Sequence, residues 1–246
     1  MPKELMPVAN KPVIQYAVEG IVNAGIENIV VITSQGKFAI AEYFDKHFEL
    51  EQLLEKKGKH EMLDKVKYSK GLANMCFVRQ YEQLGFAHAI LHAEPWVDTE
   101  YFLLVAADTI FHPEIFKGML EKHNKTGNAV VAVHQVPLQE TYRYGVVEIE
   151  NDTITSMIEK PPLGTSTADH IQIGMYILPK KIFTIIQELA DAHDGSFAEI
   201  SPPDAMLELM KESDIVPYKV VHDFWDAGNP EGWLKACNDL ANGFSN

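Results

Sequence analysis

The stretch YFLLVAADTIFHP, residues 101–113, decides how the chain is read. Its first six residues are an unbroken apolar run, shorter than an ordinary helix and rich in aromatic and branched side chains. Such a run reads as a strand buried on both faces, the habit of parallel sheets covered by helices. The run stops at Asp108, and from Pro113 a helical pattern occupies 113–124.

The same grammar extends in both directions. Upstream, strands are expected at 28–33 (NIVVIT) and 74–79 (NMCFVR), with helices at 11–24 and 86–93. The charge-rich segment 37–67 reads as helical and solvated, with Gly58 splitting it into two helices. Downstream, a strand at 129–134 is followed by YGVVEIENDTITSMIEKPP, two strands joined by a turn at Asn151-Asp152. The strand IQIGMYILP, helices at 180–192 and 203–212, a strand at 215–221 and a helix at 230–241 complete the pattern. Alternating strands and helices in the first half imply a mostly parallel, doubly wound sheet, to which the second half adds mixed sheet. There is no repeat, low-complexity tract or flexible linker. The fold class is therefore α/β, with a Rossmann-like doubly wound mixed sheet in one domain over 1–246. One feature is unusual: a loop and a helix come before any strand.

Composition narrows the function classes. The 35 acidic and 21 basic residues give a net charge of −14, which argues against nucleic acid or an anionic membrane as partner. Small phosphorylated ligands remain open, because a few placed cations or a metal hold those locally. The two cysteines, Cys76 and Cys237, have no metal or redox spacing and read as free thiols in a reducing compartment. No apolar run approaches the roughly 18 residues of a membrane helix, and the first residues carry no signal-peptide pattern. The expected location is the cytoplasm.

In open α/β sheets, ligands bind beyond the carboxyl ends of the strands. That rule selects Gln80, Asp108, the Glu159-Lys160-Pro161 run and Asp226 in DFWDAGNP. Asp108 reads either as a carboxylate for a hard divalent cation such as Mg²⁺ or as the cap of the helix that follows. Asp226 reads either as a second carboxylate of the same metal or as a turn residue before Gly228. Glu159 and Lys160 suit a phosphosugar, the carboxylate accepting hydroxyls and the ammonium meeting phosphate; a surface ion pair is the plain alternative. Gln80 has the donor and acceptor that the edge of uracil requires, and Gly85 would let a base approach the backbone. His88 and His92, four apart on a helix, are spaced for a metal but have no third ligand nearby. GxxxxGK[ST], GxGxxG and GxSxG are all absent.

Taken in order, PKELMPVANKPVIQYAVEGIVNAGI, VRQYEQLGFAHAI, VAADTI, YGVVEI, EKPP, IGMYILP and WDAGNPEGWLKA resemble the bacterial UTP–glucose-1-phosphate uridylyltransferases (UDP-glucose pyrophosphorylases) of the sugar-nucleotidyltransferase family. The likeness spans nearly the whole chain. It implies a nucleotide-diphospho-sugar transferase fold, with a nucleotide-binding half over 1–135 and a sugar-binding half with the C-terminal helices over 136–246. It also implies in-line, Mg²⁺-dependent transfer from UTP to glucose 1-phosphate, giving UDP-glucose and pyrophosphate, and a homo-oligomer. By matching position, Gln80, Gly85 and Lys3 would meet the nucleotide, Asp108 and Asp226 the metal, and Gly145, Glu159, Lys160 and Gly174 the sugar or its phosphate. Lys3, Asp108 and Lys160 would be the catalytic set.

The family begins with a strand and a GxGTRxxP loop shortly before PKE, and neither precedes Lys3 here. A truncated form of a complete enzyme accounts for this, as does a short paralogue that keeps a nucleotide-sugar pocket without turnover. The joint presence of Asp108, Glu159, Lys160 and Asp226 favours truncation. A related thymidylyltransferase or other sugar-1-phosphate nucleotidyltransferase is a further alternative. Smaller departures are Phe86-Ala87 for Leu-Gly, the two prolines of EISPPDAM, and Met175 in place of arginine.

Overall fold

The computed structural model describes residues 1–192 and 200–244. In chain order the elements begin with β1 (Pro7–Val8), β2 (Lys11–Pro12), α1 (Val13–Asn23), β3 (Asn28–Thr33), α2 (Phe38–Phe44), α3 (Phe48–Lys56), α4 (His60–Tyr68) and β4 (Asn74–Arg79). They continue with α5 (Gly85–Leu91), β5 (Tyr101–Val105), β6 (Thr109–Phe111), α6 (Pro113–Thr126), β7 (Ala129–Gln135), β8 (Gly145–Glu150) and β9 (Thr153–Glu159). The last are β10 (His170–Pro179), α7 (Ile182–Ala192), α8 (Pro202–Met210), β11 (Ile215–Lys219), β12 (Phe224–Asp226) and α9 (Pro230–Asp239). The chain divides into two compact units. One contains Met1–Arg79, Ala107–Pro113 and Phe224–Asn246; the other contains Gln80–Ala106 and Glu114–Asp223.

In the first unit, α1 is apolar on two sides, and this explains its depth. Val13 and Tyr16 pack with Ile110, Trp225, Ala236 and Leu240, while Ile14 and Val18 pack with Ile40 and Phe44. The helix has no side-chain cap. Its first N–H donates instead to the Met6 carbonyl at 3.1 Å. The buried Gln15 on α1 is satisfied by donating to Glu19 at 2.7 Å and by accepting from the Tyr43 hydroxyl. β3 and β4 form a parallel ladder from Asn28 opposite Asn74 to Thr33 opposite Arg79. The segment 37–67 forms three helices where the sequence predicts two. Gly58, at φ +65°, separates α3 from α4 as expected, and the additional break falls at Asp45, whose extended backbone ends α2. Each of α3 and α4 buries one leucine, Leu54 and Leu63, as solvated amphipathic helices do.

The second unit is built on a six-stranded mixed sheet. β7 and β11 are parallel, and β8 and β9 form the expected antiparallel hairpin. Asn151 and Asp152 sit at φ +50° and +64°, the pair of left-handed residues that a tight hairpin turn requires. β5 and β7 do not pair with each other. β10 lies between them, antiparallel to both, so the sheet is mixed where strand–helix alternation alone suggests parallel neighbours. On its β5 side β10 also serves β8, which pairs with His170 and Ile171, whereas β5 pairs from Met175 onward. Between the two stretches β10 bulges, with Gly174 at φ +82°. The core joins Val131, Val133, Tyr176 and Leu178 of the sheet to Phe183 and Ile186 of α7 and Met206 and Leu209 of α8. α8 starts with a capping box between Ser201 and Asp204, and Pro202 and Pro203 fall in its first turn, where proline costs no helical hydrogen bond. The two prolines therefore start the helix without disrupting it. Glu199, which opens EISPPDAM, lies outside the described residues. Met175 is fully buried.

Candidate functional site

The first unit holds a carboxylate pair. β6 and β12 are three residues each and pair antiparallel, with Thr109 opposite Asp226. This short ladder brings Asp108 and Asp226 together from distant parts of the chain. Gly228 makes the convergence possible: a Cβ there would stand 2.7 Å from Asp108 Oδ2 and 3.0 Å from Asp226 Oδ1. Donors hold the Asp226 carboxylate on both oxygens. The Gly228 N–H donates to Oδ1 at 2.9 Å and Asn229 Nδ2 to Oδ2 at 3.0 Å. Asn229 Oδ1 in turn accepts from the Gly232 N–H at 2.9 Å and caps α9. A side chain at Gly232 would fall 1.9 Å from the Asp226 carbonyl oxygen, so of the two glycines of DAGNPEG one is dictated by close carboxylates and the other by close backbone.

The Lys3 ammonium donates to Asp108 Oδ2 at 2.6 Å. Burial opposes its charge. The bond to Asp108 and the charges of Asp108, Glu4 and Asp226 outweigh that, and its pKa lies above the ordinary lysine value. Glu4 is itself buried and ion-paired with Lys37. Two carboxylates presented with an ammonium fit a hard divalent cation, which takes the rest of its shell from water and phosphate oxygens. Among the described residues no group of three or more His, Cys, Asp or Glu side chains is gathered to form a full metal cage. The cation reading of Asp108 and Asp226 thus needs a ligand that brings oxygens of its own.

The remaining candidates lie in the second unit. Gln80 is buried, and its amide nitrogen donates to the Gly85 carbonyl at 3.1 Å and meets His88 Nδ1 at 3.0 Å. Gly85 opens α5 at φ +92°, a backbone state that favours glycine. The Gly85 carbonyl only accepts, so the amide nitrogen must face it, and Gln80 Oε1 points the other way. His88 and His92 stack edge to face at 4.6 Å. His92 Nδ1 meets the His88 carbonyl at 2.9 Å, a helix-internal contact with no ligand-gathering geometry. His88 lies against Gln80, an orienting position that metal-ligand spacing did not reveal.

Gly145 stands directly opposite Glu159 in the β8–β9 ladder. Lys160 follows Glu159 with a positive φ of +43°, and its backbone N–H donates to the Tyr144 carbonyl at 3.1 Å. A left-handed lysine ahead of proline is a strained arrangement, of the kind that clusters at binding sites. The Lys160 ammonium lies 3.8 Å from Glu159 Oε1 and is mostly exposed. Gly174 sits in the β10 bulge, where a side chain would reach to 2.8 Å from the Ala106 Cβ. Sequence reasoning passed over Gln172, whose side chain faces the space above Gly145. Its one visible signal is a polar residue inside the otherwise apolar strand IQIGMYIL.

The family description Nucleotidyl transferase matches residues 1–243. The chain belongs to the nucleotidyl transferase family. Within that family it is 37% identical over 248 residues to UTP–glucose-1-phosphate uridylyltransferase 1 of Staphylococcus saprophyticus, covering 98% of this chain and 85% of the relative. The UTP-bound UGPase of Acinetobacter baumannii has the same architecture at a TM-score of 0.87 and 30% identity, over 98% of this chain and 86% of that one. A UDP-glucose pyrophosphorylase complexed with UDP-glucose superposes at 0.82 and 29% identity, over 98% and 91%. The mixed α/β sheet expected from sequence is the sheet of these family members. Among the described residues, no helix is long and apolar enough to cross a membrane.

Proposed function

We propose that this nucleotidyl transferase is a UTP–glucose-1-phosphate uridylyltransferase. The observation that carries the proposal is the convergence of Asp108 and Asp226 over Gly228 beside Lys3, in a chain similar to enzymes bearing that name. In the reaction, an oxygen of glucose 1-phosphate forms a bond to the α-phosphorus of UTP. The bond from that phosphorus to the bridging oxygen breaks, and its electron pair leaves with pyrophosphate. No covalent enzyme intermediate is needed, so the protein's task is to align two anions and offset their charge.

Asp108 and Asp226 would hold Mg²⁺, which when bound neutralises the triphosphate and the departing pyrophosphate. Lys3 meets the nucleotide phosphates with an ammonium whose charge the neighbouring carboxylates secure. Gln80 presents its free amide oxygen to the imide N–H of uracil, and Gly85 leaves room for the ring. Glu159 and the backbone at Gly145 and Gly174 receive the glucose hydroxyls, while Lys160 meets the sugar phosphate. The functional reading keeps residues 1–246 as one nucleotidyltransferase domain that acts in the cytoplasm as a homo-oligomer. The free thiols of Cys76 and Cys237 suit a reducing compartment, and the net charge of −14 disfavours nucleic acid and anionic membrane as partners.

The test uses the whole chain with UTP, glucose 1-phosphate and Mg²⁺. Pyrophosphate release, with a rise in melting temperature on adding UDP-glucose, is the expected result. The absence of both pyrophosphate release and a UDP-glucose-dependent shift at millimolar ligand would overturn the proposal.

A further inference from the structure

We infer that Gln172 is a specificity-determining residue of the sugar site, donating through its amide nitrogen to the same sugar hydroxyl that donates to Glu159. The inference rests on the uridylyltransferase reading and extends it to a residue in the β10 bulge.

Gln172 Oε1 accepts from the Gly174 N–H at 3.0 Å and also from the Tyr176 hydroxyl. A backbone N–H can only donate, so the amide oxygen must be the atom that faces Gly174. Nε2 is thereby turned to the opposite side. There it would lie 3.0 Å from a Cβ on Gly145, and Glu159 Oε2 would lie 3.0 Å from the same point. A donor and an acceptor thus flank the space that the missing side chain of Gly145 leaves. Neither Gln172 Nε2 nor Glu159 Oε2 has a hydrogen-bond partner among the described residues. A hydroxyl is the smallest group that satisfies both, accepting from the amide and donating to the carboxylate.

The orientation is also locked. Tyr176 is fully buried, and burial, with the charge of Glu159 behind it, raises its phenol far above the ordinary tyrosine value. It therefore stays a neutral donor. Two donors on one amide oxygen hold the side chain, so the cost of ordering it is met before a ligand arrives. A fixed amide discriminates between sugars, because an epimer or deoxy sugar leaves its N–H unanswered.

Two variants separate recognition from bulge capping. Gln172→Glu keeps the oxygen that accepts from Gly174 and Tyr176 but replaces the amide donor with a second acceptor beside Glu159. Gln172→Met removes both. Binding of UDP-glucose, of UDP and of UDP-sugars lacking single hydroxyls is measured by calorimetry on the full chain. The wild type should prefer UDP-glucose to UDP and penalise one deoxy sugar by roughly tenfold. In Gln172→Glu that penalty should shrink to what the contact with Glu159 supplies and UDP-glucose should weaken by a corresponding factor, with UDP affinity unchanged. Gln172→Met should weaken UDP-glucose likewise and also melt earlier; if it does not fold, Gln172→Glu decides alone. A Gln172→Glu protein that retains the full preference and the deoxy penalty overturns the inference and leaves the uridylyltransferase reading intact. A wild type that does not distinguish UDP-glucose from UDP overturns both.

Discussion

Asp108 Oδ2 and Asp226 Oδ1 share the space that a side chain on Gly228 would fill, at 2.7 and 3.0 Å from that one point. Gly228→Ala is therefore expected to push the two carboxylates apart. Displacing packed atoms in this way costs about 1–3 kcal/mol. Pyrophosphate release should fall at least tenfold in the proposed reaction, and the melting temperature should drop by several degrees. Kinetics at saturating Mg²⁺ and a thermal melt check both.

Asp108→Asn removes a charge and keeps the shape. Asp108 is partly exposed, and among the described residues its side chain is bonded to Lys3, so the fold should tolerate the change. If Asp108 holds the cation, turnover should fall by roughly 10²–10³ while the melting temperature moves little. Retained turnover would remove Asp108 from the metal site. Alkaline unfolding offers a second readout. The raised pKa of Lys3 makes its contribution complete below the ordinary lysine value and lost as pH rises through the folded value. That high-pH loss should shrink in Asp108→Asn.

His88 carries a pH dependence of the opposite kind. Burial lowers its pKa, the neighbouring His92 adds to this, and Glu82 opposes it. Above the ordinary histidine value the folded and unfolded forms are both neutral. As pH falls below it the unfolded chain takes the proton first, so stability declines and then levels off beneath the folded pKa. His88 Nδ1 stands 3.0 Å from Gln80 Nε2, which only donates, and 3.1 Å from the Glu82 carbonyl, which only accepts; in the neutral ring Nδ1 either accepts from the amide or donates to the carbonyl. Histidine-selective nitrogen NMR at about pH 7.5 separates the two, an unprotonated Nδ1 marking the bond from Gln80 and a protonated one the bond to Glu82. Denaturant titrations at falling pH should show a smaller decline in His88→Asn, which removes the titrating group.

Phe102 and Phe183 stack nearly parallel, 5.1 Å between ring centres, joining β5 to α7. Phe183 is fully buried. Phe183→Ala should cost about 3–5 kcal/mol, the range for emptying a buried aromatic site. Equilibrium denaturation is the measurement, and a loss below about 1 kcal/mol would mean that the core refills the space.

Much of this was legible in the residues because it is local. The 151–152 turn advertises itself through two residues that tolerate left-handed backbone, and α1 through its apolar spacing. Asp108 stood out because a carboxylate ending an apolar strand needs an explanation. What escaped was non-local or very short. β6 and β12 are three residues each, too few for any period to register, yet their ladder is what unites Asp108 with Asp226. Insertion of β10 between β5 and β7 follows from pairing preferences that alternation does not encode. Gln172 was missed because its meaning lies in what Gly174, Tyr176 and Gly145 do around it, and no spacing rule links those four. His88 drew notice for the wrong partner: helical spacing matched it to His92, whereas its ring nitrogen lies against Gln80 and the Glu82 carbonyl.

The seat of β10 between β5 and β7 also sets an order of events as the chain emerges from the ribosome. β5 and β7 are made first, and neither can complete its hydrogen bonding until residues 170–179 arrive. Closing so long a separation before any ladder forms is slow. The half-built sheet must wait with strand edges exposed, the surfaces by which nascent chains associate wrongly. Synthesis of this protein thus has a vulnerable interval that lasts beyond β10, until β11, the other neighbour of β7, has cleared the exit tunnel.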